Sequence, residues 1–303
     1  METFSRLGTE EVADRFAELD LWPTTDLVRA CNDEDARVAG AVRAAEGAIT
    51  SAVDAIADRM ARGGRLRYVG AGTGGRLAVV DAAECAPTFN TDPGQVVAVL
   101  AGGAAALADA REGDEDDAAA GAADLLRAGV RAGDAVVCIS ASGRTPYALG
   151  AAEAAKAHNA LLIGISCNAG TRLSAVSDIA IEVPVGPEII AGSTRLKAGT
   201  AQKLVLNTLS TLVMVRLGRT YGSLMVDVRT DNEKLRARAA DIVARATGLD
   251  SAGAAQALAA AGGEAKVAVV ATLADVPVAE ARRRLTVAGG RARRALDVPP
   301  VSP

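Results

Sequence analysis

Residues 65–90 of the chain read RLRYVGAGTGGRLAVVDAAECAPTFN, and the prediction of the fold starts from this segment. It begins as a short apolar strand, passes through a turn with four glycines, and continues as a helix of small and apolar residues. The first N–H groups of a helix have no partners within it, and the helix dipole favours negative charge at that end. The stretch therefore predicts a strand–turn–helix unit that holds a phosphate at residues 70–75, which we call the first turn.

Two acidic segments are candidates for acid–base chemistry. Glu84 follows a small, apolar helix, so we expect its carboxyl group to be poorly solvated, which would suit a general acid. The run REGDEDD at 111–117 offers Glu112 and Glu115, although such a run can also be a solvated helix start. The single histidine, His158, lies near a predicted helix end, which makes a Ser-His-Asp triad unlikely and leaves two carboxylates as the plausible acid–base pair.

Composition excludes several classes of protein. The 303 residues are 50% hydrophobic, which is enough for one large core with a small appendage. A net charge of −4 and 2% aromatic residues argue against a nucleic-acid partner. No apolar run is long enough for a membrane span and no signal-peptide core is present, so we expect a cytoplasmic protein. The four cysteines lack metal-ligand spacing, which predicts reduced thiols and no metal site.

The order of apolar runs predicts an α/β fold. Short apolar runs alternate with helical patterns after residue 64, which is typical of a parallel sheet flanked by helices. The predicted strands are 65–69, 95–101, 134–140, 160–166 and 178–184. The predicted helices before and among them are Thr9 to about Leu19, 26–31, 33–62 (with Asn32 as a boundary), 75–83, 104–110, 116–127 and 145–157. Further helical patterns follow at 198–217, 231–247, 252–261, 264–274 and 277–288.

Two more segments at predicted strand ends suit an anion. SASGRTPY at 140–147, the second turn, places Ser140, Ser142, Arg144 and Thr145 before a helix, where hydroxyls and a cation suit phosphate oxygens. The alternative is an ordinary N-cap with proline in the first helical turn. Residues 185–203, the third loop, carry further hydroxyls and cations before the long helix, and a capped helix with a solvated basic turn is the alternative there. These residues are Ser193, Thr194, Arg195, Lys197 and Thr200.

The first turn also matches a dinucleotide fingerprint, Gly70-x-Gly72-x-x-Gly75. That fingerprint requires an acidic residue at the end of the second strand to bind a ribose. The second strand here ends Val99-Leu100-Ala101-Gly102-Gly103 and has no carboxylate, so a phosphate site fits better than a dinucleotide site. A tight turn without a ligand remains the other alternative.

Together these segments resemble a known family. GAGTGGRL, DAAECAPTF, EGDEDD, SASGRTPY, SCN, VGPEIIAGSTRLKAGTAQKLVLN and LMVDV are similar to the N-acetylmuramic acid 6-phosphate etherases, a branch of the sugar isomerase (SIS) domain proteins. The resemblance runs from about residue 63 to 235, and the first thirty residues match only loosely. It implies an N-terminal helical region at 1–50, a SIS domain at 51–250 with helices on both faces of the sheet, and a small three-helix UBA-like bundle at 251–303.

The resemblance also implies a reaction. The expected substrate is a phosphorylated amino sugar, N-acetylmuramic acid 6-phosphate, and the expected products are N-acetylglucosamine 6-phosphate and D-lactate, as in peptidoglycan recycling. The family's two catalytic glutamates fall on Glu84, as proton donor to the lactate oxygen, and on Glu115, as base at C2. No cofactor is implied, and a homodimer is expected. The substrate-binding positions carried over or predicted from the turns are Thr73, Gly74, Gly75, Ser142, Arg144, Thr145, Ser193, Thr194 and Lys197.

Two positions depart from the family pattern. Gly74 stands where the family usually has serine, and Ala86 where it usually has proline. Loss of a hydroxyl bond to a charged oxygen costs about 1.5–3 kcal/mol, which predicts weaker substrate binding. Two alternatives to the etherase stay open: a sugar-phosphate-sensing protein like the glucokinase regulatory protein, which retention of Glu84 and Glu115 disfavours, and an aldose–ketose isomerase.

Overall fold

The computed structural model describes residues 7–109, 111–228 and 233–299. In this part of the chain five strands form one sheet in the order β2-β1-β3-β4-β5, and each neighbouring pair is parallel. The strands are β1 (Leu66–Gly70), β2 (Val96–Leu100), β3 (Ala135–Ile139), β4 (Leu161–Ser166) and β5 (Ile179–Glu182). The predicted parallel sheet is confirmed, with strand ends that differ by one or two residues.

The sheet has its switch point at its centre. β1 and β3 are neighbours and are buried along their whole length, as expected for strands covered on both faces. From this pair the sheet extends to β2 on one side and to β4 and β5 on the other. In open α/β sheets, ligands bind beyond the carboxyl ends of the two strands at which the order reverses. The order therefore directs attention to the residues that follow β1 and β3.

The helices connect and cover the strands. Those up to the end of the sheet region are α1 (Thr24–Asp35), α2 (Val38–Ala44), α3 (Glu46–Ala61), α4 (Gly72–Phe89), α5 (Ala118–Arg127), α6 (Pro146–Ala157), α7 (Arg172–Val176) and α8 (Lys197–Arg216). The later ones are α9 (Glu233–Thr247), α10 (Ser251–Ala260), α11 (Ala265–Leu273), α12 (Val278–Val287) and α13 (Ala292–Leu296). α4 is longer at both ends than predicted and includes the residues from Gly72 onward. The segment predicted as helix 104–110 contains a 3₁₀ turn instead, Gly103–Leu107.

The prediction for the N-terminal segment is wrong. In place of one helix from Thr9 to Leu19, three single 3₁₀ turns occur at Gly8–Glu10, Asp14–Phe16 and Leu19–Leu21. Tertiary hydrogen bonds explain the difference, because the N–H of Thr9 donates to Oδ1 of Asn168 and its carbonyl accepts from the N–H of Gly192. Backbone groups that are bonded to distant residues are not available for an α-helical ladder.

The boundary predicted at Asn32 is also wrong. Asn32 lies inside α1, where its carbonyl accepts from the N–H of Ala36. The helical pattern at 33–62 is instead divided before α2 and again at Ala45, whose backbone leaves the helical region at φ −89°, ψ 8°. α3 then restarts with Glu46 in its first turn, where the helix dipole favours an acidic residue.

The described residues form two compact units. The first comprises those of Met1–Ala83 and Gly94–Ser210, and the second those of Glu84–Pro93 and Thr211–Pro303. In the second unit, α10, α11 and α12 agree with the three predicted C-terminal helices to within one residue at each end. Paired glycines with positive φ at 262–263 and 289–290 end two of them, as the sequence indicates. The short helix α13 was not predicted, so the C-terminal segment contains more than three helices.

Candidate functional site

The first and second turns leave neighbouring strands at the same edge of the sheet. Gly70, the last residue of β1, is in register with Ile139, the last residue of β3. The first turn follows Gly70 directly, and the second turn follows Ile139 directly. Both turns therefore lie at the switch point, where the fold forms its ligand crevice.

The glycines of the first turn have different roles. Gly72 adopts φ +53° where α4 begins. A Cβ built on Gly75 would lie 2.5 Å from the carbonyl oxygen of Gly70 and 2.6 Å from Cδ1 of Leu100, and the Gly75 N–H already donates to the carbonyl of Ala71 at 3.0 Å. Close packing of helix on strand thus explains Gly75. A phosphate contact by Gly75 stays a prediction.

Glu115 lies beside the start of α4. It belongs to the 3₁₀ turn Glu112–Asp116, and its Oε2 is 4.0 Å from a Cβ built on Gly72. The helix-start explanation of the acidic run applies to Asp117, which caps α5 by accepting from the N–H of Ala120 at 2.8 Å. Capping does not explain Glu115, whose carboxylate is placed at the switch point instead.

Arg76 holds the segment that leads to Glu115. Its Nε donates to the carbonyl of Ala106 at 2.8 Å and its Nη2 to the carbonyl of Asp109 at 3.0 Å. Arg76 stands in the first turn and a half of α4, where the dipole disfavours a cation. That unfavourable position is a signal that sequence reasoning could have used, but it overlooked this residue.

Hydroxyl groups cluster in the second turn. Oγ of Ser140 lies 2.8 Å from Oγ1 of Thr145 and 3.3 Å from Oγ of Ser142, which accepts from the N–H of Arg144 at 3.2 Å. Thr145 occupies the N-cap position of α6, with Pro146 after it, yet its side chain makes no capping bond. The N-cap alternative is therefore confirmed in the positions of Thr145 and Pro146, but not in the side-chain capping bond. The hydroxyls bond to one another at the start of a helix that has no side-chain cap.

The third loop reaches the first turn through α8. A Cβ built on Gly199 would lie 3.2 Å from Cγ2 of Thr73 and 3.6 Å from the carbonyl oxygen of Thr194. Ser193 precedes Thr194, and both are half-buried. The side chain of Thr73 and the backbone of Thr194 are thus neighbours of the same residue of α8, Gly199.

Lys197, which was predicted to bind phosphate, forms an ion pair with Glu34 instead. Its Nζ lies 2.6 Å from Oε2 of Glu34, and the pair is buried. The N–H groups of Lys197 and Ala198 donate to the carboxylate of Glu188 at 3.0 and 2.9 Å. The start of α8 is therefore capped by a carboxylate of the protein itself, and these contacts do not support a phosphate contact by Lys197. Neither Glu34 nor Glu188 was singled out from the sequence.

Thr9 and Asn168 connect the second turn with the third loop. Nδ2 of Asn168 donates to the carbonyl of Ala141 at 2.9 Å and to Oγ1 of Thr9 at 3.1 Å, while the carbonyl of Thr9 accepts from Gly192 in the third loop. Both side chains are buried. The sequence predicts Thr9 as the start of a helix instead, because a contact across this distance in the chain leaves no local pattern.

The expected poor solvation of Glu84 is wrong for this chain, because its side chain is exposed. The buried carboxyl group on α4 belongs to Asp81, which lies in a stripe with Ala78 and Cys85. Helical spacing explains the difference, because residues 78, 81 and 85 face the core and residue 84 stands beside that stripe.

Asp81 joins three elements of the first unit. It accepts hydrogen bonds from the hydroxyl of Tyr68 at 3.0 Å, from Nδ2 of Asn207 at 2.7 Å and from Oγ of Ser210 at 3.0 Å. Burial raises the pKa of Asp81, and the three donors offset only part of that effect. These bonds fix α4 against β1 and α8.

A separate cavity of about 690 Å³ lies within the second unit, and the predicted site residues do not line it. Its charged side chains are already paired, Lys266 with Asp227 at 2.6 Å and Arg282 with Glu264 at 2.7 Å. The charges of the two pairs cancel, so we assign no ligand to this cavity.

Other features of the described residues concern metal ligands, helices that could span a membrane, and thiols. Within residues 7–109, 111–228 and 233–299, no group of three or more His, Cys, Asp or Glu side chains could hold a metal ion. The same residues contain no helix that is long and apolar enough to cross a membrane. Cys31, Cys85, Cys138 and Cys167, which all lie in the described part of the chain, form no disulfide. Burial raises the pKa of Cys138 and of Cys167 to about 12, which keeps these two thiols protonated.

Comparison with known proteins identifies the family. The glucokinase regulatory protein N-terminal SIS domain matches residues 48–156, and the SIS domain matches residues 118–212. The chain is 55% identical over 294 residues to a protein of Streptomyces avermitilis, covering 97% of this chain and 94% of that one. It is 56% identical over 295 residues to one of Rubrobacter xylanophilus, covering 97% of each chain, and 50% identical over 292 residues to one of Mycolicibacterium smegmatis, covering 96% of this chain and 98% of that one. Each of the three is named N-acetylmuramic acid 6-phosphate etherase.

The identity to these proteins extends over nearly the whole chain, and the chain has the parallel sheet of a SIS domain. The chain therefore belongs to the N-acetylmuramic acid 6-phosphate etherase family.

Proposed function

We propose that this protein is a carbon–oxygen lyase that cleaves the D-lactyl ether of N-acetylmuramic acid 6-phosphate. The products are N-acetylglucosamine 6-phosphate and D-lactate, and the reaction belongs to the recycling of cell-wall amino sugars in the cytoplasm. The observation that carries the proposal is the carboxylate of Glu115 beside the start of α4, at the switch point that also holds the hydroxyl cluster of the second turn. Membership of the etherase family supports the same reaction.

The chemistry requires one base and one acid. In the ring-opened sugar, the C1 aldehyde acidifies the proton at C2, and Glu115 removes it. The C3–O bond then breaks, and Glu84 gives its proton to the departing lactate oxygen. Water adds to C3 of the unsaturated aldehyde while C2 regains a proton, so the net reaction consumes one water. Each acid–base role contributes about 10²–10⁴-fold in rate.

The phosphate is held at the helix starts of the first unit. Hydroxyls of Thr73, Ser142, Thr145, Ser193 and Thr194 are its proposed ligands. Two observations support them: the side chain of Thr73 and the backbone of Thr194 both lie near Gly199 on α8, and the start of α6 at Thr145 has no side-chain capping bond. Backbone N–H groups at residue 74 and the cation of Arg144 complete the proposed set, since helix starts favour anions.

We further propose that the protein is a homodimer. Val80, one turn before Glu84 on α4, is 60% exposed, and an apolar side chain on that face suits a contact with a second copy. Such a contact would also cover the exposed Glu84. In this arrangement Glu84 acts on a sugar held by the partner chain.

Lactate release tests the reaction. Incubation of the full chain with N-acetylmuramic acid 6-phosphate is expected to yield D-lactate. Glu84→Gln and Glu115→Gln are each expected to abolish turnover while sparing product binding, and Asp116→Asn, an exposed acid in the same run as Glu115, serves as the control. A fully active Glu84→Gln or Glu115→Gln protein would remove that residue from the mechanism. Tight sugar-phosphate binding without lactate release would identify a regulator instead.

Mixing the two inactive variants tests the dimer. If Glu84 and Glu115 of one site come from different chains, a mixed dimer regains one intact site and lactate release returns. If both come from one chain, each site of the mixed dimer lacks one glutamate and the mixture stays inactive. Sedimentation of the unmixed protein measures the oligomeric state independently, and a monomer there would refute the homodimer.

A further inference from the structure

The side chain of Gln202 fills the space beside Gly74. A Cβ built on Gly74 would lie 3.1 Å from Oε1 and 3.4 Å from Cδ of Gln202, and 2.9 Å from Cγ2 of Ile139. Gln202 stands in the second turn of α8, three residues after Gly199, which packs on Thr73. α8 therefore delivers a polar group to the first turn at the position where residue 74 has no side chain.

One atom of this polar group has no partner in the part of the chain that the structure describes. Gln202 is 2% exposed, and its Oε1 is fully buried without a hydrogen bond. Buried polar atoms are nearly always hydrogen-bonded. Asn207 on the same helix shows the usual behaviour, because its amide donates to Asp81 at 2.7 Å. A carboxamide with an unpaired buried oxygen in a candidate site indicates a ligand that meets this end of the side chain.

The position of Gln202 indicates which part of a ligand it meets. It lies beside Gly74, in the first turn of α4, and Ile139, the residue before the Ser140 hydroxyl cluster, is a neighbour of the same glycine. The start of α4, which favours an anion, thus adjoins the carboxamide. Rotation about the last torsion of glutamine is broad and two-fold, so the NH₂ group can turn toward an anionic oxygen.

We propose that Gln202 is a substrate-binding residue that donates a hydrogen bond to the phosphate group of the bound sugar. The proposal rests on the proposed function and deepens it, because it makes a phosphomonoester the ligand that completes this site. Gly74 is the second member of the pair. A Cβ at residue 74 requires Gln202 or Ile139 to move, so Gly74 is what admits the carboxamide to the first turn.

Binding measurements on the full chain test the proposal. The probes are N-acetylglucosamine 6-phosphate and inorganic phosphate, measured by calorimetry or by competition. Gln202→Leu is expected to weaken both about 10- to 150-fold, the range for a hydrogen bond to a charged group. Its thermal midpoint is expected to stay the same or rise, because leucine removes an unpaired buried amide. Loss of affinity without loss of stability is a result that a purely structural role would not give.

A double-mutant cycle tests the pairing with Gly74. Gly74→Ala is expected to weaken binding as Gln202→Leu does, because it displaces the carboxamide. The affinity of the double variant is expected to be no lower than that of the single variant that binds less tightly. Additive losses would overturn the pairing. Thr208→Ala is the control on the same helix, because its hydroxyl bonds only within α8, to the carbonyl of Leu204 at 2.8 Å, and it should bind both probes normally.

Two outcomes in a folded Gln202→Leu protein overturn the proposal. They are wild-type affinity for both probes, and weakened binding of the sugar phosphate with unchanged binding of inorganic phosphate. If Gln202→Leu fails to fold, Gln202→Glu keeps the size of the side chain and is expected to weaken both probes by charge repulsion. Lactate release is a separate readout. A wild-type protein that binds phosphate esters but releases no lactate refutes the lyase and leaves these binding comparisons decisive for Gln202.

Discussion

Nζ of Lys197 lies 2.6 Å from Oε2 of Glu34, and the two side chains are only 3% and 4% exposed. Burial alone would raise the pKa of Glu34, but hydrogen bonds and charges from Lys197 and Arg15 outweigh it, and the pKa is lowered. The pair joins α1 to the start of α8, which carries the third loop. A lysine that the sequence offers as a phosphate ligand thus serves to fix α1 to α8 within the first unit.

Glu34→Gln is expected to destabilise the protein by about 3–5 kcal/mol at pH 7, because Lys197 would be left as an unpaired buried charge. Urea denaturation measures this. The pKa of Glu34 in the folded protein is below its ordinary value. Its contribution to stability is therefore fully present when the pH is above the ordinary pKa, and it is lost as the pH falls through the folded-state pKa. The difference between wild type and variant should therefore shrink in acid. The double variant with Glu34→Gln and Lys197→Met should recover much of the lost stability. If the double variant is destabilised as much as Glu34→Gln alone, this account is contradicted.

Asp81 is expected to give the opposite pH dependence. Burial raises the pKa of Asp81 in the folded protein. Its contribution to stability is therefore fully present when the pH is below the ordinary pKa, and it is lost as the pH rises through the folded-state pKa. Wild type should therefore lose thermal stability relative to Asp81→Asn as the pH rises above the ordinary pKa of an aspartate, about 4. Thermal midpoints at four pH values test this, with the exposed Asp20→Asn as the control. Parallel curves for wild type and Asp81→Asn would refute the assignment.

Arg76→Gln is expected to lower kcat about 10- to 100-fold with little change in product affinity. Its two bonds to the carbonyls of Ala106 and Asp109 hold the segment before Glu115, and a misplacement of about 1 Å can cost about 10²-fold in rate. Arg76→Lys should restore part of the rate because it keeps a donor. A kcat equal to that of wild type, measured by lactate release, would show that Arg76 does not position the base.

Gly75→Ala is expected to destabilise the fold by about 1–3 kcal/mol, since its Cβ would meet the carbonyl oxygen of Gly70 at 2.5 Å and neither backbone can yield easily. Gly47→Ala in α3 is the matched control. A Cβ there meets nothing within 4 Å, so alanine should stabilise that helix by about 0.5–1 kcal/mol. Chemical denaturation of both variants measures the difference, and a neutral Gly75→Ala would mean that the first turn is not closely packed.

Local patterns predicted the elements well where the pattern itself is the cause. The five apolar runs became β1 to β5, because short buried runs between helices have few other structures available. The glycine pairs at 262–263 and 289–290 ended helices, because positive φ is accessible to glycine. The same reasoning failed at Thr9, whose backbone groups bond to Asn168 and Gly192 rather than to their neighbours.

The parallel sheet, the glycine turn at the start of α4 and the family can all be read from contiguous residues. Three other features appear only in the folded chain: Lys197 pairs with Glu34, Asp81 rather than Glu84 is the buried carboxyl group on α4, and Oε1 of Gln202 lies unpaired beside Gly74. The physical reason is that burial and pairing depend on which distant segments approach one another. That approach is set by the packing of α8 and the N-terminal segment on the sheet, and no local periodicity records it.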